Sequence, residues 1–333
     1  MVNYKKLTLK QLQEICRSDE KYKPYSGKSK NDLIEHMEKC DAIVECDVTV
    51  NILPHLPKEA KYIDLFCGIG SFHYSFQKLG FKCVMASDIY KPAKDNYNEN
   101  YNMDVLGDIC DIDPSTIEDY DILCAGFPCQ PFSQAGHHKG FEDSRGTMFS
   151  QVMRFVKTNV PKVVVLENVQ ALLNHDDGKS FAKIKEDLEK EGYTIVHKVL
   201  KCSDYGIPQM RKRLFIVGFK NVNFNNLDSF FNLDEYEKKT TLSDYLDRNF
   251  EKEIAYTLRC GGKKSPIDDR HNWDGYWVDG EEYRLTTDDG LKLQGFNEYN
   301  LIGKEGDKWK LLGNTIPTIF TEIIGKQIIK HCQ

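Results

Sequence analysis

At 333 residues the chain is long enough to bury one large core with a smaller attached unit. Hydrophobic residues at 40% and charged residues at 29% exclude wholesale disorder and fibrous architectures, and no stretch reaches the roughly 18 apolar residues of a membrane span. A net charge of -6 opposes a polyanionic partner unless the basic residues are gathered locally.

They are gathered at the front, where residues 1–40 hold nine Lys or Arg against six Asp or Glu. The stretch LTLKQLQEICRSDEKYKPYSGKSKNDLIEHMEK reads as two helices separated by a break at Pro24 and Gly27. Its leucine spacing and its GKSKNDLI segment resemble the SAP-type DNA-binding motif, so residues 1–45 are expected to form a helical DNA-binding segment. That resemblance implies phosphate contacts for Lys28 and Lys30. A solvated helical hairpin is the alternative.

From Lys61 to about Phe219, apolar runs alternate with amphipathic stretches, the signature of a mostly parallel sheet with helices on both faces. The predicted strands are KYIDLF, KCVMASD, DILCAGF, KVVVLEN, TIVHKVL and RLFIVGF. SFHYSFQKLG is a predicted helix closed by Gly80. After Phe219 the sequence turns Asn-rich, aromatic and charged, and a small second domain is expected at 223–300. The segment after GNTIP, TIFTEIIGKQIIK, carries an apolar stripe that returns the chain to the sheet. The catalytic domain is thus assigned to 58–222 and 301–333. Eleven cysteines without a CxxC pair predict reduced thiols and no metal site.

In IDLFCGIGSF a glycine-rich turn joins a buried strand to a helix, where a ligand can approach the backbone closely. The third glycine of a dinucleotide fingerprint is missing, which weakens a pyrophosphate reading. The next strand runs into Asp88, placed to accept hydrogen bonds from both hydroxyls of a ribose. Asp108 and Ile109 could meet an adenine, although a loop-capping role for Asp108 is equally compatible with the residues. An adenosine-containing cofactor fits this set.

DILCAGFPCQPFS delivers Pro128, Cys129 and Gln130 to the carboxyl edge of the sheet, where ligands bind. A lone cysteine is more often core than nucleophile. Its partners raise its standing: KVVVLENV ends a strand in Glu167, and QMRKRLFIVG sets Arg211 and Arg213 on alternate positions, hence on one face of a strand. Carbon 5 of cytosine is a poor nucleophile until a thiolate adds at carbon 6, a step Cys129 would supply. The charge pushed into the ring needs an acid near nitrogen 3, for which Glu167 is the candidate. It also needs a donor at the carbonyl of position 2 and a cation favouring the thiolate, roles that suit Arg213 and Arg211.

DLFCGIG, GFPCQPFS, ENV, QMRKR, RLTTDDGLKLQGF and GNTIP occur in the order found in bacterial-type DNA cytosine-5 methyltransferases, and the chain resembles that family from Ile63 to Ile328. The resemblance implies a Rossmann-like S-adenosylmethionine-dependent methyltransferase fold and methylation of cytosine in double-stranded DNA by base flipping. It places Phe66, Gly68, Gly70, Asp88, Ile89, Asp108, Ile109, Pro128 and Asn314 at S-adenosylmethionine. Gln130 and Ser133 would belong to a loop that closes on DNA. Ile89 stands where the family often has an aromatic. The variable segment that reads DNA is short here, and TLRCGGKKS resembles a recognition loop in which Arg259, Gly261, Gly262, Lys263 and Lys264 meet DNA. A hairpin turn with solvated lysines is the bland alternative. Trp273, Tyr276 and Trp277 are expected in the small domain's own core. The resemblance further implies an intracellular monomer, with a cognate restriction endonuclease as an optional partner. The rival functions are a cytosine-5 tRNA methyltransferase and an inactive DNA-binding relative.

Overall fold

The computed structural model describes residues 8–18, 22, 28–47, 54–128, 148–222, 227 and 229–333. The chain divides into two compact units, Met1–Ile52 and Leu53–Gln333.

In the first unit, helices α1 (Leu9–Ser18) and α2 (Lys30–Asp47) bury Leu12 and Cys16, and Leu33 and Met37, one turn apart on each helix. Tyr22 joins this small core, and its carbonyl meets His36 Nε2 at 2.8 Å. Thr8 starts α1 with a reciprocal bond, since Gln11 N reaches Thr8 Oγ1 while Thr8 N donates to Gln11 Oε1 (2.9 Å). Lys28 is half-buried and Lys30 exposed.

The second unit is built on six strands, β1 (Lys61–Leu65), β2 (Lys82–Ser87), β3 (Ile122–Ala125), β4 (Val163–Asn168), β5 (Tyr193–Lys201) and β6 (Lys212–Lys220), in the order β2-β1-β3-β4-β6-β5. The pairs among β1 to β4 are parallel, whereas β6 runs antiparallel to both β4 and β5. All six predicted strands form, and the mostly parallel α/β architecture is present. The order reverses between β1 and β3, which opens a crevice at their carboxyl ends. Because β6 is antiparallel, its first residues lie beside the last residues of β4, with Leu214 opposite Asn168.

Successive strand residues point to opposite faces, and both faces are covered. Tyr62, Val163 and Val165 pack on one side with Ile323, Ile324 and Ile328, which line helix α10 (Thr318–Cys332). Ile63, Val164 and Leu166 pack on the other with Val152 and Phe155 of α5 (Met148–Asn159) and Ile184 and Leu188 of α6 (Lys179–Lys190). Helix α3 (Ser71–Phe76) passes into a short 3-10 turn that Gly80 ends at φ 87°, as its predicted stop requires. Helix α4 (Lys91–Tyr101) follows β2.

The stretch 223–300, expected as a separate domain, belongs to this same unit. It contains α7 (Leu242–Leu246), a hairpin of β7 (Gly275–Val278) and β8 (Glu281–Arg284), and α8 (Thr287–Leu293), which starts in a capping box of Thr286 and Asp289. Leu242, Leu258, Trp273 and Tyr276 share one apolar cluster with Ile69, Tyr74 and Leu312, the last on α9 (Glu305–Asn314). Its core is therefore continuous with the glycine-rich turn after β1. No helix among the described residues is long and apolar enough to cross a membrane.

Candidate active site

The chain leaves β1 through three left-handed residues, Phe66 (φ 58°), Gly68 (φ 56°) and Gly70 (φ 81°). Phe66 has a side chain to strain in that region, at a cost on the order of 1 kcal/mol. The turn is fastened to the end of β2. Cys67 N donates to Ser87 O (3.0 Å), and Gly68 N donates to Asp88 Oδ2 (2.9 Å). Asp88 Oδ1 accepts from Tyr90 N (2.8 Å), so each carboxylate oxygen keeps a second lone pair for a hydroxyl. Burial raises the Asp88 pKa against the pull of those two amides. Asp64, inside β1, is fully buried with Oδ2 unpartnered, and burial lifts its carboxyl well above the usual range, with Asp88 adding to the effect.

These residues form one wall of a cleft of about 770 Å³ at the reversal of strand order. Phe66, Gly68, Asp88 and Ile89 line one side, Asp108 and Ile109 another, and Pro128 and Asn314 the rim. Ile89 is 73% exposed, leaving an apolar surface for a ring to cover. Both readings of Asp108 hold at once: its Oδ1 caps Cys110 N (2.9 Å) while the residue lines the cleft. A Cβ at Gly68 would meet nothing within 4 Å, which leaves the backbone open to close approach. Gly70 is not among the lining residues, although its neighbours Ile69 and Ser71 are. A Cβ there would sit 2.4 Å from Tyr101 Cε2 and 2.9 Å from Tyr97 Cε2, so its glycine serves packing behind the turn.

The last residue of β4 but one, Glu167, opens into the same cleft. Arg213, one residue before Leu214, reaches it across the antiparallel pair with Nε 2.9 Å from Glu167 Oε1. The contact is an ion pair, and Oε1 has no other polar partner among the described residues. Burial raises the Glu167 pKa, and Arg213 and then Arg211 pull it partly back. A buried carboxyl with a raised pKa beside a cation can exchange a proton with a ring nitrogen and support developing charge. Asn168, to which the motif alone assigns no role, donates from Nδ2 to Phe127 O (3.0 Å) and fixes the strand end leading to Pro128. Cys129, Gln130 and Ser133 lie outside the described residues.

Arg211 is held by backbone carbonyls, and Cys129, whose thiolate it is expected to favour, lies outside the described residues. Arg211 precedes β6, is fully buried, and does not line the cleft. Its Nη1 donates to Leu258 O (3.2 Å), and its Nη2 donates to Gly313 O (2.8 Å) and Thr315 O (2.7 Å). Burial pushes its pKa down. The guanidinium ties the segment around Leu258 to Gly313 and Thr315.

In the candidate recognition loop Arg259, Gly261, Gly262 and Lys264 are exposed. Lys263 is instead turned onto the protein, with Nζ 4.2 Å from the Trp309 ring centre and 3.6 Å from Glu305 Oε1. Trp273 and Tyr276 are buried as expected, but Trp277 is 39% exposed. Trp273 Nε1 donates to Gly261 O (2.9 Å) and so holds the glycine turn from below.

Comparison with known proteins agrees with this geometry. The C-5 cytosine-specific DNA methylase family matches residues 60–276. The chain is 50% identical over 162 residues to the type II methyltransferase M.HaeII of Haemophilus aegyptius, covering 49% of this chain and 51% of that one. It spans about half the length of that relative. With the type II methyltransferase M.DsaV of Dactylococcopsis salina it is 32% identical over 307 residues, covering 82% and 87% of the two chains. The S. pombe Dnmt2 methyltransferase structure shares the fold, with a TM-score of 0.63 at 20% identity over 81% of this chain and 99% of that one. The chain therefore belongs to the C-5 cytosine-specific DNA methylase family.

Proposed function

We propose that the protein transfers a methyl group from S-adenosylmethionine to carbon 5 of a cytosine flipped out of double-stranded DNA. The observation that carries this reading is the Glu167–Arg213 ion pair, which opens into the same cleft as the Phe66–Gly68 turn, Asp88 and Asn314. An adenosine cofactor fits the residues present: open backbone at Gly68, spare acceptor capacity on Asp88, and exposed apolar surface on Ile89, with Ile109 buried in the cleft wall. When bound, it supplies an electrophilic methyl group.

The residues of the chain divide the remaining work. Cys129, directly after Pro128 at the rim, adds as thiolate to carbon 6 of the base and forms a C–S bond. Glu167 gives its proton to nitrogen 3 as electron density moves into the ring, and Arg213 donates to the carbonyl oxygen at position 2. Carbon 5, now enamine-like, takes the methyl group. Solvent water takes the proton from carbon 5, the electron pair it leaves expels the Cys129 thiolate and restores the aromatic ring, and nitrogen 3 returns its proton to Glu167. Gln130 and Ser133 belong to the segment that closes over the base, which couples chemistry to base extrusion. Arg259, Gly261, Gly262 and Lys264 read or hold DNA, while Lys28 and Lys30 add salt-sensitive phosphate contacts. The enzyme acts inside the cell as a monomer. The type II names of its relatives suggest a restriction endonuclease of matching specificity, which methyl transfer does not require.

Duplex DNA carrying 5-fluorocytosine tests this directly. With S-adenosylmethionine the parent protein is expected to form a covalent adduct that survives denaturation, and Cys129→Ser to form none. An adduct in the Ser variant, or none in the parent, would overturn the mechanism. Methyl transfer confined to tRNA in a parallel assay would overturn the substrate.

A further inference from the structure

Cys260 has no part in the mechanism, yet it sits where the candidate recognition segment meets the cofactor rim. Its Sγ donates to Asn314 Oδ1 (2.9 Å) and approaches Lys310 O (3.6 Å). Asn314 and Lys310 both line the cleft. The amide of Asn314 is thereby oriented: the carbonyl end is held by the thiol, and Nδ2 has no partner among the described residues. Two further features hold the sulfur in register. Gly313 has no room for a side chain, since a Cβ would lie 2.4 Å from Cys260 N and 2.5 Å from the Arg259 carbonyl carbon. Arg211 joins Leu258 O, two residues before the thiol, to Gly313 O and Thr315 O on either side of Asn314.

We propose that Cys260 is a positioning residue for cofactor binding, which fixes the Asn314 amide with Nδ2 presented to the cleft and ties the segment carrying Arg259 to the cofactor rim. This rests on the cleft being the S-adenosylmethionine site. A side-chain amide can present either its acceptor or its donors, and the two ends differ little in size. The thiol favours one arrangement because S–H donates to Oδ1 at 2.9 Å, whereas after a flip it is left with the more distant Lys310 O at 3.6 Å and sulfur is only a weak acceptor for Nδ2. Cys260 is exposed at the surface, and partial desolvation of its thiol raises its pKa against the pull of Arg211 and Lys310. Without the thiol the amide turns freely, and the cofactor must select the productive orientation on binding.

The test is the dissociation constant for S-adenosylhomocysteine, measured by calorimetry on the full chain. Cys260→Ala is expected to weaken binding roughly 3- to 10-fold, the range for one modest hydrogen bond. Cys260→Ser, which restores a donor, is expected to stay within about twofold of the parent. Asn314→Ala is expected to lose at least as much as Cys260→Ala, and the double variant no more than Asn314→Ala, because both changes remove one interaction. In steady state Cys260→Ala should raise KM for the cofactor and leave kcat in place. Additive losses, or a Ser variant no better than Ala, would overturn the assignment. A parent that binds while Cys260→Ala binds equally well refutes this inference alone, whereas a parent that binds no S-adenosylhomocysteine refutes the cofactor reading with it.

Discussion

Arg211 and Arg213 lie two residues apart in one motif, and exchanging each for methionine should give opposite phenotypes. Methionine at 211 keeps most of the buried volume but removes a donor group that serves three carbonyls, those of Leu258, Gly313 and Thr315. A buried polar group left without its partner costs about 1–3 kcal/mol. Taking the low end for each of three gives about 3 kcal/mol, and at roughly 2–4 °C per kcal/mol for a domain of this size Tm should fall by about 6–12 °C. Arg213 lines the cleft, with its side chain 15% exposed and Glu167 as its ionic partner among the described residues. Arg213→Met should therefore melt within about 3 °C of the parent while methyl transfer falls about 100-fold or more, the usual loss for a donor at developing charge. Thermal unfolding followed by circular dichroism, with methyl transfer to duplex DNA measured well below Tm, separates the two. If Arg211→Met melts with the parent and still loses activity about 100-fold, Arg211 acts on the reacting base and the bracing role is wrong.

Gly70→Ala should destabilise the protein by about 2 kcal/mol or more, since it adds a left-handed alanine to a Cβ contact of 2.4 Å with Tyr101, and pairing it with Tyr101→Ala should recover part of the loss in denaturant titrations. The pKa of Glu167 is raised in the folded state, so its contribution favours the fold at low pH and is lost as pH rises through that raised value. Glu167→Gln does not titrate, and its Tm relative to the parent should climb as pH increases above about 4.5, whereas a constant difference would contradict the raised pKa. Trp273→Phe removes the bond from Nε1 to Gly261 O, and should cost about 1 kcal/mol in stability while loosening discrimination between DNA sites in a methylation-protection assay.

Features set by a few neighbouring residues were legible from the chain itself. Continuous apolar runs announce the six strands, Gly80 announces the end of the 3-10 turn that continues α3, and the strand-to-turn junctions place Glu167 and Pro128 at one sheet edge. These follow from rules that act within about ten residues: side-chain period, backbone strain and capping. Side-chain destinations decided by distant backbone were not legible. Arg211 and Arg213 alternate as residues sharing a strand face would, but β6 begins at Lys212, and the carbonyls that capture Arg211 belong to residues 47, 102 and 104 positions away. Gly70 reads as a cofactor glycine, but the Tyr97 and Tyr101 rings behind it do not show in the motif, and Lys263 reads as a phosphate contact until Trp309 takes it. Local pattern determined the elements and the chemistry they can carry; only the tertiary packing, which brings remote rings and carbonyls within hydrogen-bonding or contact distance, decided which side chains face the cleft and which hold it together.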